Sequence, residues 1–130
     1  MLAVKKTDVL TLAIIDGALY AGGYFDVAGT VETRSLARWS NNAWASVGGG
    51  VTDDDQLGSP AGGVYAIAGT ANNLYVAGNF DHAGAVDAKN IARWNGSAWN
   101  ALGDGLHAQF ENSLSAVVQS LSVVNNVVYA

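Results

Sequence analysis

The chain has 130 residues, half of them hydrophobic and only 13% charged, with 16 glycines and a single proline. This composition excludes a disordered polymer and favours short apolar strands joined by tight turns over amphipathic helices. Six basic residues against eleven acidic ones (net charge -5) argue against a nucleic-acid partner, whose affinity comes from clustered Lys and Arg, and the absence of cysteine rules out disulfides and thiolate metal sites.

Lys5 and Lys6 precede an apolar run that Asp16 interrupts. It makes a poor signal peptide and is too short to span a bilayer, so a strand is expected there. Apolar segments at 11–15, 18–25, 35–40 and 43–47 are separated by turn residues and read as four strands. A second set follows at 64–70, 74–80, 90–95 and 98–102. Asp16-Gly17, Asn72-Asn73 and Asn125-Asn126 are expected as turns between first and second strands, and Asn41-Asn42 and Asn95-Gly96 between third and fourth. These residues accept the positive φ of two-residue hairpin turns.

The two sets are copies of one another, 55 residues apart. LYAGGYFDVAG at 19–29 returns as LYVAGNFDHAG at 74–84, Leu36-Ala37-Arg38-Trp39 returns as Ile91-Ala92-Arg93-Trp94, and Trp44 matches Trp99. Residues 121–130 match 12–21 and begin a third copy. Four strands per copy at a period near 50 are the signature of a β-propeller blade. The expected fold is therefore all-β, built of four-stranded antiparallel meanders. Residues 1–130 form one repeat domain, with blade 1 at 11–63, blade 2 at 64–115 and the first two strands of a third blade at 116–130.

Leu19-Tyr20 with Gly23 and Phe25, followed by Leu36-Ala37-Arg38-Trp39 and Trp44, resembles kelch and galactose-oxidase-like propeller repeats, especially those of surface proteins. The resemblance spans nearly the whole chain. It implies that the first strand of each blade lines a central channel and the fourth lies outermost, and it implies an extracellular or surface location, although the chain shows no signal peptide. The cysteine-dependent copper chemistry of galactose oxidase is excluded here. The fold alone does not specify a function.

Strand alternation places the loops 26–34 and 81–89 and the linkers 48–63 and 103–113 on one rim, with the tight turns on the other. Long, dissimilar loops on a rigid scaffold are where binding residues sit, so the loop rim is the expected ligand face. Two and a fraction blades are too few to close a propeller, which needs about four to eight. Either copies assemble into a ring, a trimer of six blades being the simplest, or the chain is a piece of a longer protein ending inside a strand at Ala130. In a ring, the extra strands at 116–130 would overlap a neighbour and lock the assembly.

Asp26 with Arg38, repeated as Asp81 with Arg93, is expected to form an ion pair within each blade, and Trp39, Trp44, Trp94 and Trp99 are expected to be buried in blade packing. Residues that differ between copies are the binding candidates: His82, which replaces Val27, and Asp104, His107, Phe110 and Glu111 of the second linker. The run Asp53-Asp54-Asp55 offers hard oxygen ligands of the kind calcium takes, but without EF-hand spacing, and is expected to be a solvated linker. No HExxH or close histidine pair points to zinc, so no cofactor is expected. Nor is there a GxSxG elbow, a Cys/His couple or a phosphate-cradling loop. A catalytic acid pair would need Asp104 or Glu111 of one chain to face Asp54 of another. The expectation is a non-catalytic scaffold or binding module that meets a protein or glycan partner and inserts in no membrane. A carbohydrate-binding, lectin-like propeller is the alternative, with Phe110 and Tyr65 as rim aromatics, and a fragment of a larger kelch-like protein is a third reading.

Overall fold

Among the residues that the computed structural model describes, 8–53 and 62–103 with the strands Ser122–Val124 and Val127–Tyr129, every regular element is a strand. In chain order these are β1 (Asp8–Ile15), β2 (Ala18–Tyr24), β3 (Val27–Ala28), β4 (Val31–Glu32), β5 (Leu36–Ser40), β6 (Ala43–Ser46) and β7 (Val51–Thr52). Then come β8 (Gly63–Thr70), β9 (Asn73–Asn79), β10 (His82–Ala83), β11 (Val86–Asp87), β12 (Ile91–Trp94), β13 (Trp99–Ala101), β14 (Ser122–Val124) and β15 (Val127–Tyr129).

Each repeat folds into one four-stranded antiparallel meander, β1-β2-β5-β6 and β8-β9-β12-β13. The register is the same in both. Leu19 faces Trp39 and Trp39 faces Trp44, just as Leu74 faces Trp94 and Trp94 faces Trp99. Even the irregularity repeats: the ladder shifts between Val9 and Thr11 in β1 and between Val64 and Ala66 in β8. β14 and β15 pair with Val124 opposite Val127, which leaves two residues between the strands.

The turns show why local sequence placed some connections one residue off. Asp16-Gly17 and Asn41-Asn42 all take positive φ, as two-residue hairpin loops require. In the second repeat Thr70 pairs with Asn73, so the turn is Ala71-Asn72 rather than Asn72-Asn73. Asn95 accepts hydrogen bonds at Oδ1 from the amides of Ser97 and Ala98, both at 2.8 Å, so it closes a turn centred on Gly96-Ser97 rather than lying inside one. The position 125–126 lies outside the described residues.

The loops expected at 26–34 and 81–89 carry short ladders of their own, β3 with β4 and β10 with β11. Their bases are closed by one device used twice. Ser35 and Asn90 are buried at positive φ, with Ser35 Oγ bonding Phe25 and Asn90 Oδ1 accepting the Phe80 amide.

The principal core lies between the two meanders. Tyr20, Leu36 and Val47 on the back of the first sheet pack with Leu74, Val76 and Trp99 on the front of the second. Where the sheets meet, a Cβ on Gly22 would lie 2.5 Å from the Val64 side chain, so the absence of a side chain lets them approach there. A separate small cluster of Ala21, Phe25 and Ala37, with Trp44, lies on the front of the first sheet.

Candidate functional site

The linker that leaves the first repeat becomes part of the second. Gly48, Gly49 and Gly50 all take positive φ, and β7 then pairs with β10, extending the β10–β11 hairpin to three strands. The Gly84 amide donates to Gly50 O at 2.8 Å, the Asp81 amide to Thr52 O at 2.9 Å, and Trp99 Nε1 to Gly48 O at 3.2 Å. A Cβ on Gly48 would collide with Trp94 and Trp99. The linker and the 81–89 loop thus share one rim. On the opposite rim, Asp16 Oδ2 accepts the amide of Ala71, its own counterpart in the next repeat, at 3.0 Å.

On the loop rim the structure gathers His82 with two carboxylates. Its Nδ1 lies 2.8 Å from Asp81 Oδ1 and its Nε2 2.6 Å from Asp87 Oδ1. Both contacts are complete hydrogen bonds only when both ring nitrogens carry protons. Asp81 is mostly covered while Asp87 projects into solvent. Among the described residues no group of three His, Cys, Asp or Glu is arranged to hold a metal. Asp87 was invisible to a comparison of single positions, because its counterpart Glu32 faces Val27.

Other candidates fall elsewhere. Asp53 is buried at the end of β7, not in a solvated linker, because the pairing of β7 with β10 draws the chain inward. Asp54, Asp55, Asp104, His107, Phe110 and Glu111 lie outside the described residues. Tyr65 sits half-buried near the start of β8 at the joint between sheets, its ring edge-on to Tyr24 and its hydroxyl hydrogen-bonded to the Tyr24 hydroxyl. Burial, the Tyr24 hydrogen bond and the Tyr24 charge together hold its phenol well above the usual tyrosine range.

The expected pairing of Asp26 with Arg38 and of Asp81 with Arg93 is not what the register builds. Arg38 lies opposite Tyr20, six positions along the strand from Asp26, a span of roughly 20 Å at the usual rise. Arg93 instead donates to Asn73 Oδ1 at 2.9 Å. The tryptophans also divide: Trp99 is buried, Trp44 and Trp94 are half-buried, and Trp39 is exposed at 37%. The second repeat's pair is covered by the linker before it, and the first pair has no such linker among the described residues.

Arg38 opens onto the second concave feature. A groove of about 350 Å³ runs between the repeats, lined by Tyr20, Arg38, Ser46, Asn72, Trp94 and Gly96. Asn73 is the acceptor for Arg93, but Arg38's repeat has Ala18 at that position, and among the described residues its guanidinium has neither an ion pair nor a hydrogen-bonded acceptor. Sequence reading missed this groove because it needs residues of both repeats.

Comparison with family models, with curated proteins and with solved structures finds no match to this chain.

Proposed function

We propose that this chain is a non-catalytic, propeller-type scaffold of the kelch or galactose-oxidase-like kind, whose repeats assemble into a closed ring and present the loop rim to a partner. The observation that carries the reading is the pairing of β7 with β10, by which one repeat's exit linker completes the hairpin of the next. Such a joint propagates: each unit finishes its successor, and an array of this kind closes when enough units are present. The repeat spacing and its tryptophan and glycine pattern support the same reading. The loop rim carries the features that differ between repeats, His82 with its Asp87 contact foremost, and these are free to serve recognition because the first repeat is built without them.

Light scattering on a sizing column across a range of concentrations tests the ring. A discrete multiple is expected, three chains giving six blades. A monomer throughout, or a continuous range of masses, removes the ring.

The groove at Arg38 favours one second reading, carbohydrate binding. An indole edge beside a cation without an acceptor suits a sugar that bears a carboxylate. Titration with a uronic acid oligosaccharide, followed by tryptophan fluorescence, is expected to saturate and to fail in Arg38→Ala. A neutral oligosaccharide serves as the control, and equal responses to both sugars, or to neither, remove this reading.

A further inference from the structure

Every large hydrophobic residue exposed among the described residues belongs to the first repeat: Val9, Leu10, Leu12, Ile14, Val27 and Trp39. Their counterparts show what such positions are for. Leu12 is 62% exposed, but Ile67, 55 residues on, is 9% exposed; Val9 is 56% exposed and Val64 fully buried. In the second repeat this front face is covered by the back of the first.

The hydrogen bonds tell the same story. Gly84 and Trp99 donate to Gly50 and Gly48 of the linker before them. Gly29 and Trp44 hold the same places in the first repeat, where among the described residues no such linker meets them. There β3 pairs with β4 alone, whereas β10 has β11 on one side and β7 on the other.

From this we infer that the front face of the first repeat is a docking surface for a second copy of this chain, filled by the back of that copy's second repeat with residues 103–107 laid along β3. The inference rests on reading the repeats as units of an array. The occupant is identified by its side chains. The back that covers the second repeat offers Tyr20, Leu36, Val47 and Gly48; the second repeat offers Tyr75, Ile91, Leu102 and Gly103 at the matching positions. The linker segment Gly48-Gly49-Gly50-Val51-Thr52 has its match in Gly103-Asp104-Gly105-Leu106-His107, with glycine kept at the first and third places and an apolar residue at the fourth. Gly103 even shares the positive φ of Gly48, 56° against 59°, and a Cβ built on it would meet nothing within 4 Å, where one on Gly48 would strike two indoles. Because residues 121–130 match 12–21, the outgoing hairpin and the incoming β1–β2 hairpin claim one place, and docking exchanges one for the other. Contact between unlike faces of identical chains is head-to-tail, the geometry that generates rings.

The chain has no cysteine, so a register-specific cross-link is a clean test. His82 lies opposite Thr52, and the corresponding intermolecular pair is Val27 with His107. The full-length double variant Val27→Cys/His107→Cys, oxidised mildly at low concentration, is expected to run as disulfide-linked dimers and larger species on a non-reducing gel. Glu32→Cys/His107→Cys places one thiol a strand further away and is expected to remain monomeric. Adding Gly105→Val to the first pair is expected to abolish linking, since a Cβ at the corresponding Gly50 would lie 2.2 Å from the carbonyl oxygens of Thr33 and Arg34. The proposal is overturned if the first pair stays monomeric with native tryptophan fluorescence, the face then belonging to a different partner. It is equally overturned if both pairs link alike, or if linking survives Gly105→Val. Linked chains without a closed mass leave this docking intact and remove the ring; a closed mass without the registered link does the reverse.

Discussion

Asn90 combines two tasks that seldom coincide: it sits at a φ of 64° and, fully buried, gives its side-chain oxygen to the Phe80 amide. Asn90→Ala keeps the unfavourable backbone and leaves the amide without that acceptor, so a loss of about 2 to 3 kcal/mol is expected from urea unfolding. Asn90→Ser is expected to recover part of it, because Ser35 performs the same closure in the first repeat. Thr33 presents the opposite case. Its Oγ1 is buried without a hydrogen-bond partner, and Ala88 fills the corresponding place in the second repeat. Thr33→Val removes the hydroxyl while keeping the shape, and a gain of about 1 kcal/mol in the same assay is expected. A loss of stability would mean that the hydroxyl has an acceptor after all.

At the scale of the element, Trp99 and Trp39 separate packing from position. Trp99 is buried against the Gly48 linker, and Trp99→Ala is expected to cost about 3 to 5 kcal/mol. Trp39→Ala, on an exposed indole, is expected to cost less than about 1 kcal/mol in the monomeric chain; equal midpoint shifts in urea would contradict the unequal burial. The same contrast explains what was legible in the sequence. The eight long strands could be read because each is attested twice in one register. The two-residue strands β3, β4, β10 and β11 could not, since two residues hold no periodicity. Tryptophan burial also escaped, because nothing in Leu36-Ala37-Arg38-Trp39 says whether another unit stands in front of it. Asp81 with Arg93 looked like a pair in the linear pattern; the fold puts Asn73 beside Arg93, and Asp81 bonds its own chain neighbour His82. The groove at Arg38 was hidden for the same reason: half of its wall belongs to the next repeat.

For the whole molecule, the joint between sheets carries a group that responds to alkaline pH. Tyr65 is kept above the ordinary tyrosine value near 10 by burial and by Tyr24. In the unfolded chain the phenol ionises near pH 10, while in the fold it keeps its proton, so the unfolded state binds fewer protons above that pH. Stability from this group is therefore complete below about pH 10 and declines as pH rises past it. Melting temperatures measured between pH 8 and 11 are expected to fall at the alkaline end, and to fall less steeply in Tyr65→Phe. An unchanged slope in the variant would show that the alkaline loss arises elsewhere.

The hydrogen bond from Ala71 to Asp16 joins a residue to its own replacement one repeat later. A contact of that kind needs no partner tailored to one place in the chain. Duplicating or deleting a whole 55-residue unit creates or removes one more joint of a sort already present, so the number of units can drift by recombination within a gene while every surviving joint stays intact. A point change at one joint leaves the other joints as they were, whereas a change in copy number alters how many units an array must accommodate to close.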